Sequence, residues 1–129
     1  MKINLNPVLK TYRAEMLAKI DAEAEAFRHQ FITPGSGQSM VYLVKEAEAR
    51  ALQANAAAVV PHIAAEATAR GIPSPDVAQI IIDTADNWRG ISAAIEGQRI
   101  ASKMAIDAAT TVAGVRAAAA VDWNAALQP

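Results

Sequence analysis

The stretch SPDVAQIIIDTADNWRGISAAIEGQRIASKMAIDAA, residues 74–109, decides the fold that we predict for this chain. Ser74 can cap the start of a helix, and Pro75 suits the first helical position, where a backbone N–H is not needed. Asp76 follows in the first turn, where the helix dipole favours a negative charge. Because these three signals agree and no further proline interrupts the stretch, we predict one long helix over 75–109.

The predicted long helix separates bulky from small side chains when its residues are turned through 100° each. Its small-residue seam recurs at steps of three and four, and two of its members are helix-interior glycines that each cost about 1 kcal/mol relative to alanine. A helix that approaches the seam closely could offset this cost through dispersion contacts. The alanine-rich second and last helices of this chain are one candidate for this neighbour and another protein molecule is the other, and we favour a contribution from both. The seam consists of Gly90, Ala94, Gly97, Ala101, Ala105 and Ala108.

A bulky stripe lies about a third of a turn from the small-residue seam, and we expect it to hold the helices of the chain together. Ser102 interrupts this stripe. Charged residues occupy a narrower sector between flanking apolar side chains. The stripe comprises Val77, Ile81, Thr84, Trp88, Ile91, Ile95 and Ile106, and the charged sector comprises Arg89, Glu96, Lys103 and Asp107, flanked by Ile82, Ile100 and Met104.

Two further helices are predicted before the long one. Asn6 and Pro7 start a helix over 7–31, whose apolar residues recur at steps of three and four, and the turn at 33–38 ends it. A second helix over 39–57 carries Met40, Val44, Ala47, Ala51 and Ala54 on one side, although the run Met40–Val44 also fits a short strand. The apolar stripe of the first helix is Leu9, Tyr12, Met16, Ile20, Ala24, Phe27 and Phe31.

Two short helices complete the prediction. Pro61 restarts the helix over 61–70, and Gly71 suits the left-handed position after its end. Thr110 or Thr111 caps a last helix over 111–127, which carries apolar residues at steps of three and four. Those residues are Val112, Val115, Ala119, Trp123 and Leu127.

The composition supports a single all-α domain over 1–129. Of the 68 apolar residues in this 129-residue chain, 31 are alanine, which has the highest helix propensity and little area to bury. We therefore predict a bundle of about five closely spaced helices around the long helix, with a thin core. The predicted core residues are Leu9, Tyr12, Met16, Ile20, Phe27, Phe31, Ile81, Trp88, Ile91 and Ile95.

The titratable residues do not form a recognisable catalytic or metal-binding motif. His29 and His62 are the two histidines and have no metal-ligand spacing, and the chain has no cysteine. Asp83 and Asp86 fit a polar helix edge better than a site. Most other carboxylates have basic neighbours three or four residues away. We predict no catalytic residue, no metal and no cofactor; the expected pairs are Glu15/Lys19, Glu25/His29, Glu46/Arg50, Glu66/Arg70, Glu96/Arg99 and Lys103/Asp107.

Charge and hydropathy exclude two classes of partner. Twelve basic and 13 acidic residues give a net charge of −1, so no global basic field favours nucleic acid. No apolar run approaches the roughly 18 residues of a membrane span. The glycine-rich segment 33–40 lacks the lysine of a phosphate-binding loop. We therefore expect protein partners through helix contacts, at the small-residue seam together with Trp123 and Leu127, and we expect a homo-oligomer.

The stretch from Ile20 to Leu52 gives a family resemblance. With the later Trp88, Ile95-Glu96 and Arg99, its pattern resembles that of small alanine-rich open reading frames of tailed bacteriophages, and of segments in longer phage tail and tail-fibre proteins. The resemblance covers most of the chain. Its distinctive parts are the turn Thr-Pro-Gly-Ser-Gly-Gln at 33–38 and the spacing from Tyr42 to Lys45-Glu46-Ala47. The other residues that carry it are Ala22-Glu23-Ala24-Glu25, Arg28, Phe31-Ile32-Thr33 and Glu48-Ala49.

The resemblance implies a non-enzymatic protein of the phage virion. It implies a tail, baseplate or fibre adaptor or attachment component that is made in the host cytoplasm, uses no cofactor, and has other phage tail or fibre proteins as partners. It offers no catalytic residue to carry over. A tail-fibre assembly chaperone that is absent from the finished particle is the first alternative. A helical regulatory or DNA-binding protein is the second, and the balanced charge disfavours it.

Overall fold

The computed structural model describes residues 6–32 and 35–128, and this part of the chain is all-α, without a strand. The fold class and the long helix predicted from the sequence are confirmed, and the second helix runs through Met40–Val44 as a helix rather than a strand. In chain order the helices are α1 Asn6–Arg28, α2 Ser36–Ala54, α3 Pro61–Arg70, α4 Ser74–Ala108, α5 Val112–Ala119 and α6 Trp123–Ala126.

Three of the predicted helices have different bounds in the structure, and the second of them runs over Ser36–Ala54 instead of 39–57. The first helix ends at Arg28 instead of continuing to residue 31, so the predicted core residue Phe31 lies in a turn and is 39% exposed. The predicted last helix is divided into α5 and α6. Its interruption has a local cause, because the Asp122 side chain accepts a hydrogen bond from the Ala125 N–H at 3.2 Å and so starts a new helix. Thr33 and Pro34 of the predicted turn lie outside the described residues.

Three helix ends follow the local signals in the sequence. Pro61 occupies the first turn of α3, and Gly71 ends that helix in the left-handed region with a φ of 69°. Thr111 caps α5, since its hydroxyl accepts a hydrogen bond from the Gly114 N–H at 3.0 Å. These helix ends are as predicted because each depends on residues within four positions of it.

The chain divides into two compact units, and α4 contributes to both. One unit comprises Met1–Phe31 and Ile91–Pro129, and the other comprises Ile32–Gly90. The prediction of one domain over 1–129 stays a prediction. The middle unit, Ile32–Gly90, packs α2 and α3 against the first half of α4. Its core consists of Ala49, Val60, Ile63, Ala67, Val77, Ala78 and Ile82.

The terminal unit, Met1–Phe31 with Ile91–Pro129, has two adjoining apolar clusters. Ile20, Ile106, Val115 and Ala119 form one, and Ala24, Phe27 and Ile95 form the other. Of the ten core residues predicted from the sequence, Ile20, Phe27 and Ile95 are buried here. Six more are half-buried: Leu9, Tyr12, Met16, Ile81, Trp88 and Ile91.

A carboxylate of α2 caps the start of α3. The Glu48 side chain accepts hydrogen bonds from the backbone N–H groups of Ile63 at 3.0 Å and His62 at 3.3 Å, and it lies 2.8 Å from His62 Nδ1. Val60, at the N-cap position, provides no side-chain cap of its own. Partial burial opposes ionisation of the Glu48 carboxyl, but the hydrogen bonds from Ile63 and His62 outweigh it and hold the pKa of Glu48 below its ordinary value of 4.5.

We expect Glu48→Gln to lower the free energy of unfolding at pH 7 by about 0.5–2 kcal/mol, the usual effect of losing a helix cap. Because the pKa of Glu48 is lower in the folded chain, its stabilising effect is complete above the unfolded pKa and disappears as pH falls through the folded value. The variant should therefore lose less stability than the natural chain on acidification below pH 4.5. Urea unfolding at several pH values, with amide exchange of Ile63, measures both effects.

Glu25→Gln is the matched control for this prediction. Glu25 also contacts a histidine, His29, at 3.0 Å, but its side chain is 59% exposed whereas that of Glu48 is 11% exposed. We expect the control to change stability by less than about 0.5 kcal/mol. Equal losses for the two variants, or unchanged exchange at Ile63, would contradict the capping role of Glu48.

Candidate protein–protein interface

The C-terminal half of α4 has two unlike sides within the terminal unit. Ile95 and Ile106 are fully buried in the core, and Ser102 between them is only 4% exposed. The opposite side is exposed to solvent and consists mainly of small and apolar residues, with the exposed Asp107 at its edge. We call this side the open face of α4; it consists of Ala93, Gly97, Ile100, Ala101, Met104, Ala105 and Ala108.

The open face of α4 includes most of the small-residue seam. A Cβ atom added at Gly90 or Gly97 would have no heavy atom within 4 Å, apart from the chain neighbours and local helix backbone. The described helices of this chain therefore do not close on the seam at either glycine. The sequence allowed the seam to pack against a helix of this chain or of another molecule. A helix of this chain is not observed beside Gly90 or Gly97. Close packing within this chain does not account for these glycines.

Two large apolar side chains lie beside the small residues on the open face. Ile100 is 43% exposed and Met104 is 66% exposed, four residues apart and therefore on the same side of the helix. The sequence placed both at the flank of the charged sector without showing their exposure. Ile100 and Met104 project from the face, whereas Gly97 and Ala101 leave grooves beside them. Helices pack when the ridges of one fit into the grooves of the other.

Three charged residues of α4, Glu96, Arg99 and Lys103, form ion pairs within the terminal unit. Asp21 of α1 accepts hydrogen bonds from Arg99 at 2.8 Å and from Lys103 at 2.9 Å. These hydrogen bonds hold the pKa of Asp21 below its ordinary value, and the one from Lys103 has the larger effect. Glu96 pairs with Arg28 of α1 at 2.8 Å and with Arg99. Because these charges attach α4 to α1, they are directed toward the chain itself rather than toward a partner.

Trp123 and Leu127, the other predicted interface residues, lie against the core of the terminal unit. Trp123 is half-buried, and its indole N–H donates to Glu23 at 3.0 Å. Its ring lies 6.3 Å from that of Phe27 between centroids, and Leu127 packs on the same cluster. The structure thus places four seam residues on the open face of α4, leaves Ala94 half-buried, and places Trp123 and Leu127 in a separate, internal contact; the four are Gly97, Ala101, Ala105 and Ala108.

The acidic residues of the middle unit form surface ion pairs. Glu46 contacts both Arg50 and Arg89, and Asp86 pairs with Arg50 at 2.9 Å. Asp83 accepts a hydrogen bond from Gln79 at 2.8 Å. Asp83 and Asp86 therefore lie on a polar helix edge, as the sequence indicated. The hydrogen bond from Arg89, and then that from Arg50, lowers the pKa of Glu46 despite its partial burial.

Most of the predicted local ion pairs are present, and two have different partners. Pairs occur at Glu25/His29, Glu46/Arg50, Glu66/Arg70 and Glu96/Arg99. Lys19 pairs with Glu23 and Lys103 pairs with Asp21, instead of the predicted Glu15 and Asp107. The reason is that Glu23 and Asp21 also have partners on other segments, Trp123 and Arg99, which fix the carboxylates in place.

The described residues show an open groove in the terminal unit and no cluster suited to a metal. Over 6–32 and 35–128, no three histidine, aspartate or glutamate side chains come together to hold a metal ion. The groove has a volume of about 500 Å³ and lies between the start of α1 and α5, with Arg116 stacked over the Tyr12 ring at 6.0 Å. Its other lining residues are Pro7, Val8, Thr11, Glu15 and Val112.

Comparison with known proteins gives no relative from which a function could be transferred. No family model matches the chain. No curated protein and no solved structure matches it significantly either. Among the described helices, none is both long enough and apolar enough to cross a membrane. The function must therefore be argued from the residues and surfaces of the chain.

Proposed function

We propose that this chain is a non-enzymatic structural protein of a tailed-phage virion, which joins tail, baseplate or fibre components through helix–helix contacts. The observation that carries the proposal is the open face of α4. Over the four turns from Ala93 to Ala108 this face exposes apolar side chains and a glycine, and Asp107 borders it as an exposed charge. Exposure of such a face to water is unfavourable, and its burial by another helix lowers the free energy.

The resemblance to phage tail proteins supplies the context for this contact. Its residues lie mainly in α1 and α2 and in the turn between them, whereas the open face lies on α4. The resemblance and the open face are therefore independent arguments for the same function. The partners that we propose are other tail or fibre proteins and further copies of the chain, in the virion and not on nucleic acid or a membrane.

Mass spectrometry of purified virions tests the proposal. We expect the chain in the particle at a fixed copy number relative to a tail protein. Its absence from finished particles, together with its presence on fibre proteins during assembly, would reject the structural role and favour the assembly chaperone. Absence from both would reject any role in the particle.

Gly97→Leu gives a sharper test, since the structure predicts opposite effects on the isolated chain and on assembly. Leucine replaces a helix-interior glycine in open space, so we expect the free energy of unfolding to rise by up to about 1 kcal/mol and the thermal midpoint to rise by about 4 °C. The same leucine would hold a partner helix away from the seam. We expect the copy number in virions to fall when a phage carries this variant.

Ala14→Leu is the control for Gly97→Leu. Ala14 is exposed on α1 of the same unit, so this variant adds a leucine side chain to a different helix. We expect virions to retain this variant at the natural copy number. Retention of Gly97→Leu at that copy number as well would show that no partner approaches the seam closely.

A further inference from the structure

A second apolar surface lies on α2 in the middle unit. Met40, Val44, Ala47, Ala51 and Ala54 follow one another at steps of four, three, four and three along the outward side of this helix. All five are exposed, Met40 by 66% and Val44 by 41%. Leu43, beside them, is 69% exposed. We call these six residues the outer face of α2.

The steps of the outer face match those of a coiled-coil seam. Alternating steps of four and three place side chains along one line that faces a partner helix, so each can enter a gap between side chains of that partner. Three of the six large apolar side chains of α2, Met40, Leu43 and Val44, lie on the outer face. The buried residue of α2 on the opposite side is Ala49. The outer face therefore leaves half of the large apolar side chains of α2 exposed.

The charges of α2 are all paired within the middle unit. Lys45 contacts Glu66 of α3, and Glu48 caps α3. Glu46 and Arg50 join Arg89 and Asp86 of α4. Because no charge of α2 remains to be matched, a partner helix needs no opposite charge. It needs an apolar surface of the right shape.

The shape of the outer face is complementary to itself. Large side chains occupy its first half, at Met40, Leu43 and Val44, and methyl-sized ones occupy its second half, at Ala47, Ala51 and Ala54. Two copies that pair in antiparallel orientation place the large half of each on the small half of the other. In one register the second copy's Ala51 lies opposite Met40, and its Ala47 lies opposite Val44. A parallel pair would instead place large against large and leave the alanines apart.

From these observations we propose that two copies of the chain associate through antiparallel pairing of their α2 helices. A twofold axis relates the copies, so that each provides the same surface. The 15 residues from Met40 to Ala54 span about 22 Å of helix. One helix pair of this length buries less than the roughly 800 Å² per partner of a standard stable interface. The dimer is accordingly weak in dilute solution and forms as the concentration rises.

Sedimentation equilibrium over a wide concentration range tests the dimer. We expect the natural chain to pass from monomer to dimer, and Ala47→Glu to weaken dimerisation at least about tenfold, because the variant buries a carboxylate from each copy. Ala65→Glu is the control, since it makes the same change at an exposed position of α3. Circular dichroism of each variant verifies that the helices are retained.

Single cysteines test the orientation, since the chain has none of its own. Met40→Cys and Ala51→Cys are oxidised separately and as a mixture. A disulfide requires Cα atoms within about 7 Å of each other. In the antiparallel register, position 40 of one copy faces position 51 of the other. We expect most of the disulfide in the mixture to join one chain of each variant, and little to form in either variant alone.

Three outcomes would overturn the proposal: a monomer at every concentration, a dimer that Ala47→Glu leaves unchanged, or disulfides that form mainly between identical positions. The proposal does not rest on the phage role. Ala47→Glu leaves the open face of α4 intact, so loss of the dimer with normal incorporation into virions would separate the two surfaces.

Discussion

Replacing Ile106 with alanine is expected to lower the free energy of unfolding by about 2–5 kcal/mol. Ile106 is fully buried at the point where α4 meets Ile20 of α1 and Val115 of α5. Leu9, Met16 and Leu17 pack against the same cluster, and we expect them to fill only part of the cavity that the truncation leaves. Because a domain is stable by only about 5–15 kcal/mol, the loss is large. Urea unfolding followed by circular dichroism measures it.

Met104→Ala, two residues away on the same helix, is the matched control. Met104 is 66% exposed on the open face of α4, so its truncation removes little buried area from the isolated chain. We expect a change of less than about 0.5 kcal/mol. Similar losses of stability for Ile106→Ala and Met104→Ala would contradict the placement of Ile106 on the buried side of α4 and of Met104 on its exposed side.

Most helix starts were predictable because each is encoded within a single turn, but α2 begins at Ser36, three residues before the predicted start at 39. Pro61, Asp76 and Thr111 are local signals, and the structure begins helices at or near each of them. The division of the last helix was missed although its signal was also local. Aspartate at position 122 favours a helix cap over a helix interior. The apolar periodicity from Val115 through Trp123 to Leu127 nevertheless predicted one continuous helix across it.

The burial of α4 was harder to predict, since one periodic pattern serves two cores. Ile82 is buried in the middle unit although the sequence placed it beside the charged sector, and Thr84 of the bulky stripe is exposed. Ser102, which interrupts the stripe, is buried because the Gln98 amide donates to its hydroxyl at 2.8 Å. A wheel drawn over the whole helix treats two cores as one, so it finds Val77, Ile95 and Ile106 but misplaces Ile82 and Thr84.

Long-range polar contacts could not be predicted from spacing at all. The rule of three and four residues finds pairs within one helix, such as Glu46 with Arg50. It does not find Lys103 with Asp21, 82 residues apart, or the Trp123 indole with Glu23, 100 residues apart. Trp123 was therefore predicted at an interface, whereas the carboxylate of Glu23 satisfies its N–H within the terminal unit.

The structure shows which of the candidate interface residues are exposed, and spacing in the sequence does not. Small residues on a helix are compatible with any close neighbour, including one in the same chain. The open surroundings of Gly97 and the exposure of Ile100 and Met104 show which side of α4 its own unit leaves uncovered. On α2, the sequence grouped the correct residues on one side but did not show that this side faces solvent. Both faces are apolar, so we propose protein surfaces as their partners.

Arg13→Met is expected to destabilise the terminal unit by about 1.5–3 kcal/mol, the range for hydrogen bonds from a charged group. The Arg13 guanidinium donates from Nη2 to the Ala109 carbonyl at 2.8 Å and from Nε to the Ile106 carbonyl at 3.3 Å, so it caps the C-terminal end of α4. Methionine keeps the aliphatic part of the side chain and removes both donors.

Lys10→Met is the control for Arg13→Met, because Lys10 is an exposed cation one turn earlier on α1. We expect it to change the free energy of unfolding by less than about 0.5 kcal/mol. Amide exchange locates the effect: Arg13→Met should speed the exchange of the last turn of α4, where the freed carbonyls no longer hold the backbone, while the amides of α3 keep their rates. Equal effects of the two variants on that turn would show that net charge, and not the cap, stabilises the end of α4.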